Sequence, residues 1–331
     1  MKVFYEYHLN KYPLIQKEDK IKLIYQGTLG PNHLGKDLLV EDVKKRLEKE
    51  LLEESNLVEN IYEWISCGFI RININQYIKD DHSLEELANS FVVSSKEIPY
   101  DIGVLKQELT NYLTEEELQN YNFKPISHSS IYRQKYLPHY LVVKKDYLTL
   151  DLRVKQLDNF LYQAKDYSIT ALEGKCTAGK STICEALNDK YTIIHIDDFF
   201  LSKEQKTNKR LEEIGGNINY ELVKENLVKI KKAFETNQKQ VLIRCFDCQK
   251  QTYYHKEIIL KKKVILEGVY SYHPHFNEYI DYLGYIYIDE KTQMQRVEQR
   301  RMKERFINEW IPLENKYFNF YKLENICNIL I

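Results

Sequence analysis

"ALEGKCTAGKSTICEALND", residues 171–189, is the stretch whose reading decides the fold. Gly174 is followed by Lys175, Cys176, Thr177 and Ala178, then by Gly179, Lys180, Ser181 and Thr182, which matches G-x-x-x-x-G-K-[ST]. Only 11 glycines occur in 331 residues, so a pair at this spacing calls for a reason. Backbone geometry supplies one. Gly174 and Gly179 permit a tight turn whose successive N–H groups point at phosphate oxygens. A helix opening near Lys180 adds its positive end. Lys180 places a cation at the β- and γ-phosphates, and Ser181 offers a hydroxyl to Mg²⁺.

The surroundings of the loop carry the same reading. "YSITALEG" is an apolar strand before it and "KSTICEALND" a helix after it. The strand "YTIIHID", the helix "NYELVKENLVKIKKAFETN" and the strands "QVLIRCF", "KKVILEG" and "YLGYIYID" follow. Strands alternating with helices predict an α/β domain over 148–331, a P-loop NTPase parallel sheet with helices on both faces. Residues 1–147 read as a mostly helical accessory domain, with amphipathic stretches such as "LLVEDVKKRLEKELLEE". "FKPISHSSIYRQKYLPHYLVV", 123–143, reads instead as a structured loop leading into a short strand.

Hydrophobic residues at 43% and charged residues at 29% suit a globular chain, and 331 residues suit two cores. A formal net charge of -1 argues against nucleic acid or an anionic membrane as partner. No signal-like or membrane-length apolar run is present, which predicts a cytoplasmic protein with reduced cysteines. Cys245 and Cys248 form a C-x-x-C without a second pair at zinc spacing, so no zinc is expected. A homo-oligomer is compatible with the sequence.

Ligands of an open α/β sheet bind beyond the carboxyl ends of its strands. "YTIIHIDDFF" delivers Asp197 and Asp198 there, and "KKVILEGVY" delivers Glu267. Ser181, Asp197 and Glu267 are the candidate Mg²⁺ ligands, and Asp197 is also the candidate base for an attacking hydroxyl. A turn cap is the plainer alternative for Asp197, and a buried ion-pair partner for Glu267. In "QMQRVEQRRMKER", Arg296, Arg300, Arg301 and Arg305 recur on a predicted helix, where they could cover a transferred phosphoryl group or merely form a solvated face.

Together, "GKCTAGKS", "IDDFFL", "ILEGVYSYHP" and the arginine-rich stretch, with "WIPLENKYF" following, resemble the uridine kinase and phosphoribulokinase group of P-loop kinases over residues 168–320. The resemblance implies an ATP- or GTP- and Mg²⁺-dependent kinase acting on a hydroxyl of a nucleoside or related small molecule. Asp197 matches its catalytic aspartate, Ser181 and Glu267 its metal-associated residues, and Arg296, Arg300 and Arg301 its lid. The Asp-His-Pro stretch of uridine kinases has no counterpart in "GGNINYELV", which leaves the acceptor open. Asp198, Phe199, Phe200, Tyr220, Asp247, Tyr270 and His273 are the expected lining of its pocket. A nucleotide-responsive regulatory protein is the competing reading; it would need Lys180 and Ser181 but not Asp197. A kinase acting on a sugar, a vitamin precursor or an RNA end is a further alternative, the last disfavoured by the net charge. In the N-terminal part, His33, His128, Arg133 and His139 sit in loop-like contexts. A structural role is the plainer reading of the histidines; the functional expectation is that all four converge on one pocket for an anion such as a phosphate or carboxylate.

Overall fold

A computed structural model describes residues 1–32, 38–51, 60–66, 68–97 and 101–331. By internal contacts the chain divides into two compact units, Met1–Gln156 and Leu157–Ile331. The division falls inside the helix Leu150–Gln163, downstream of the 147/148 boundary that composition suggests.

The first unit is mostly helical but is built around a small antiparallel sheet. Its strands are β1 (Tyr62–Trp64), β2 (Phe69–Asn73) and β3 (Tyr140–Lys144), in the order β1-β2-β3. Successive side chains leave a strand on opposite faces, and both faces of this sheet are covered. Ile70, Ile72, Leu141 and Val143 pack with Val43, Leu47, Leu87 and Phe91 from the helices Val40–Glu50 and Leu84–Glu97. Val142 instead joins Ile21, Ile24, Leu105 and Leu109 from the helices Lys17–Leu29 and Ile102–Thr110. β3 is the strand expected at the end of 123–143; β1 and β2 were too short to show a period.

The second unit is an α/β sandwich. Its sheet contains β4 (Ser168–Glu173), β5 (Thr192–His195), β8 (Lys263–Glu267), β9 (Tyr282–Tyr285) and β10 (Ile329–Leu330) in the order β10-β9-β4-β8-β5, every pairing parallel. All six residues of the central strand β4 are buried, as a strand covered on both faces requires. The covering helices include Lys180–Ala186, Tyr220–Glu235 and Ile311–Tyr321.

Two expectations are corrected. "QVLIRCF" does not join the parallel sheet. It forms β6 (Gln240–Asp247), which pairs antiparallel with β7 (Thr252–Ile259) as a separate hairpin. Val241, Ile243, Cys245 and Phe246 are buried while Leu242 is 55% exposed, so the strand presents an apolar residue to solvent as well as to the core. Nor do the four arginines share one helix. The helix Glu290–Glu298 ends before Arg300 and Arg301, which lie exposed in the following turn, and Arg305 belongs to the short turn Lys303–Arg305. Val297 is the last apolar anchor, because Met302 is 52% exposed and holds nothing to the core.

Candidate active site

The strand register puts the carboxyl ends of β4, β8 and β5 side by side: Leu172 pairs with Glu267, and His195 pairs with Glu267. The loop 174–179 leaves β4 at this edge. Gly174 has φ +143, and a Cβ there would stand 2.5 Å from the Ile286 carbonyl oxygen, so the close approach of loop and chain excludes any side chain. The loop is held at several points. Glu314 accepts the Cys176 N–H (2.8 Å), Arg296 donates to the Thr177 carbonyl (2.8 Å), and Gln293 reaches the Cys176 sulfur (3.2 Å). Lys180 folds back on the loop and donates to the carbonyls of Gly174 (2.6 Å) and Lys175 (3.0 Å).

Below the loop, Glu173 is fully buried. It accepts the N–H of Tyr272 (2.8 Å) and of Tyr270 (3.3 Å) and the hydroxyl of Tyr317 (3.0 Å), tying the segment after β8 and the helix Ile311–Tyr321 to the root of the loop. Burial pushes its pKa up to about 7, against the pull of the Tyr272 N–H and the Lys180 charge.

Glu267 is 5% exposed, and one of its oxygens accepts from the Ser181 hydroxyl (3.0 Å) and from His195 Nδ1 (2.6 Å). It is thus an ion-pair partner of His195 as well as a neighbour of Ser181. The Glu267 carboxylate holds the His195 pKa above its ordinary value. Asp197, on the turn Ile196–Phe199 that follows β5, keeps solvent access. Its pKa is pushed up by partial withdrawal from water and by the charge of Glu267, with Lys180 opposing. No ion pair or hydrogen bond engages the Asp197 carboxylate among the described residues. Asp198 differs: it is paired with Lys256 (3.3 Å) and accepts from the Tyr254 hydroxyl (3.4 Å), both on β7.

The remaining expected residues scatter. Phe199, Tyr270 and His273 are 1–3% exposed and belong to the core rather than to an open pocket wall. His273 donates from Nε2 to the Ile214 carbonyl (3.1 Å), and burial lowers its pKa to about 4. Tyr220 stacks on His275 (3.8 Å between centroids) beneath the Arg210 guanidinium (3.4 Å). Phe200 is half-buried and bridges to Ile218. Asp247 caps the β6–β7 turn, accepting the N–H of Gln249 (2.8 Å) and Lys250 (2.9 Å). Arg300 and Arg301 are exposed, and Arg305 pairs with Glu309 (2.8 Å). Sequence reasoning missed Glu173, Glu314, His195, Tyr254 and Lys256. Of these, only Glu173 and His195 carried a signal, a polar residue at the end of an apolar strand.

In the first unit, His128, Arg133 and His139 line one cavity of about 780 Å³; His33 lies outside the described residues. Among the described residues no group of three or more His, Cys, Asp or Glu could hold a metal by itself, and no helix is long and apolar enough to cross a membrane. The described cysteines are unpaired; Cys245 is buried on β6 and Cys248 exposed beside the turn.

An all-parallel sheet with G-x-x-x-x-G-K-S at the end of its central strand defines a P-loop NTPase fold. No family model matches the chain, and no curated protein matches it. Among solved structures, it is similar to "a Possible Uridine Kinase from Bacillus stearothermophilus", at 14% identity over 55% of this chain and 96% of that one, with a TM-score of 0.42. A "putative fructose transport system kinase from Silicibacter sp. TM1040" is similar at 16% identity over 55% of this chain and 98% of that one, with a TM-score of 0.39.

Proposed function

We propose that the C-terminal unit is an ATP- or GTP-dependent kinase that transfers the γ-phosphoryl group to a hydroxyl of a small molecule, a nucleoside or a related metabolite. One observation carries the reading. At adjoining strand ends beside the phosphate loop stand two carboxylates with different employment, Glu267 held by Ser181 and His195, and Asp197 unengaged.

The residues fit a hard divalent cation. Ser181, Glu267 and Asp197 offer oxygen donors only, and the two carboxylates repel one another without a cation between them. Mg²⁺ held there with Ser181 would neutralise charge on the phosphates. The loop N–H groups and Lys180 bind the β- and γ-phosphates once Lys180 exchanges its two carbonyl partners for phosphate oxygens. The acceptor hydroxyl gives its proton to the Asp197 carboxylate while its oxygen attacks the γ-phosphorus. The bond from that phosphorus to the β–γ bridging oxygen breaks, and the diphosphate leaves. Arg296 lies against the loop at Thr177, and Arg300 and Arg301, exposed on the next turn, would reach the phosphoryl group only if that turn closes.

The test is a nucleotide-consumption screen over nucleosides, sugars and vitamin precursors, with the product identified by mass. A product heavier by one phosphoryl group and dependent on Asp197 is expected. Nucleotide binding without acceptor-dependent turnover anywhere in the panel would refute the reading and favour a regulatory protein.

A further inference from the structure

The cavity of about 780 Å³ in the first unit is walled by the helices Lys17–Leu29, Val40–Glu50 and Ser130–Tyr136 and by the chain on either side of the last. Its volume falls in the range of small-molecule sites, roughly 300–1,000 Å³. Among the described residues four basic side chains line it, Lys22, Arg46, Lys49 and Arg133, against one carboxylate, Glu50. That carboxylate is shared: it lies 3.9 Å from Arg46 and 3.9 Å from His139. Among the described residues, Lys22, Lys49 and Arg133 have no ion-pair partner. Lys22 makes only a long contact to the Ile126 carbonyl (3.4 Å), and burial, then Arg71 and Arg46, lower its pKa to about 8. The His139 side chain is 9% exposed, and its Nδ1 has no hydrogen-bond partner.

Arg46, Lys49 and Arg133 reach solvent at the rim of the cavity, whereas Lys22 is half-buried, so it is the Lys22 charge, withdrawn from water beside like charges, that destabilises the fold unless something answers it. The wall that carries Arg133 and His139 is nonetheless fixed in place. Asp19 accepts from His128 Nδ1 (2.8 Å), the Ser129 N–H (2.9 Å) and the Ser129 hydroxyl (2.7 Å), while His128 Nε2 meets the Tyr140 hydroxyl (2.6 Å). Burial lowers the His128 pKa to about 4, so its ring is neutral and serves this wall rather than the ligand. Phe91, Leu137 and Val142 supply an apolar side to the same cavity.

We propose that this cavity, made entirely of residues of the first unit, binds a small phosphomonoester, its dianion held by Lys22 and Arg133 with Arg46 and Lys49, and its organic part against Phe91 and Leu137. A dianion answers the net excess of three positive charges better than a single carboxylate does. The planar guanidinium of each arginine can donate two parallel N–H bonds to a pair of the tetrahedral phosphate's oxygens.

The test uses the full chain carrying Lys180→Ala, which removes the cation of the phosphate loop so that the second site can be read alone. Equilibrium dialysis against labelled inorganic phosphate and phenyl phosphate should show one saturable site, tighter for phenyl phosphate. Arg133→Gln and Lys22→Met should each weaken it about tenfold or more, the loss of one charge-assisted contact. Lys22→Met should also raise the melting temperature in phosphate-free buffer, since it removes a poorly compensated cation, whereas a merely structural lysine would lower it. No saturable binding, or binding that both substitutions leave intact, would overturn the proposal. Displacement by succinate as effective as by phosphate would overturn the phosphate assignment. None of these results depends on whether the other unit is a kinase.

Discussion

Replacing Glu173 by Gln isolates the contribution of the buried carboxyl beneath the phosphate loop. Gln keeps the oxygen that accepts from the Tyr272 N–H and the Tyr317 hydroxyl, and it removes the ionisation. In the folded chain burial raises the Glu173 pKa from its ordinary 4.5 to about 7. The folded state therefore holds a proton that the unfolded state releases, and stability falls as pH rises. The contribution is fully present below pH 4.5 and is lost progressively as pH climbs through about 7. At about 1.4 kcal/mol per pH unit the loss is on the order of 3 kcal/mol. Because Glu173 is 0% exposed, solvent screening does not reduce this figure much. Urea denaturation of the full chain between pH 5 and 8, followed by Trp310 fluorescence in a Trp64→Phe background, measures it. The wild-type midpoint should drop across this window, and the Glu173→Gln midpoint should drop by clearly less. Equal pH slopes for the two chains would refute the argument that Glu173 is proton-linked.

Two further outcomes test the site itself. Lys180→Ala should weaken nucleotide binding and nearly abolish turnover with the fold intact by circular dichroism; wild-type nucleotide affinity in that chain would remove the loop from the site. Asp197→Asn should lower turnover about a hundredfold or more while nucleotide binding persists, as expected for loss of a positioned base. Asp198→Asn, which only loosens the contacts to Lys256 and Tyr254, should cost much less, and the reverse order would exchange the roles of the two aspartates.

The sequence by itself determined the second unit's class and the place of its phosphate loop. Strand, glycine loop and helix are contiguous, and their backbone requirements are local, so Gly174, Gly179, Lys180 and Ser181 announce themselves at fixed spacing. Asp197 and Glu267 were legible as polar ends of apolar strands. What those carboxylates do to one another was not, because His195, Ser181 and Glu267 meet only when β5, β4 and β8 are laid side by side. For the same reason Glu314, 138 residues from Cys176, had no local signature as a clamp on the loop. The β6–β7 hairpin escaped because Val241, Leu242 and Ile243 read as one buried run, although Leu242 is exposed. The expected pocket residues Phe199, Tyr270 and His273 turned inward because burial is settled by which neighbours arrive, not by residue type. In the first unit, histidines and an arginine in loop-like contexts hinted at a pocket. Lys22, Arg46 and Lys49 looked like ordinary solvated faces of two helices, and only the packing of those helices turned their charges toward a common cavity.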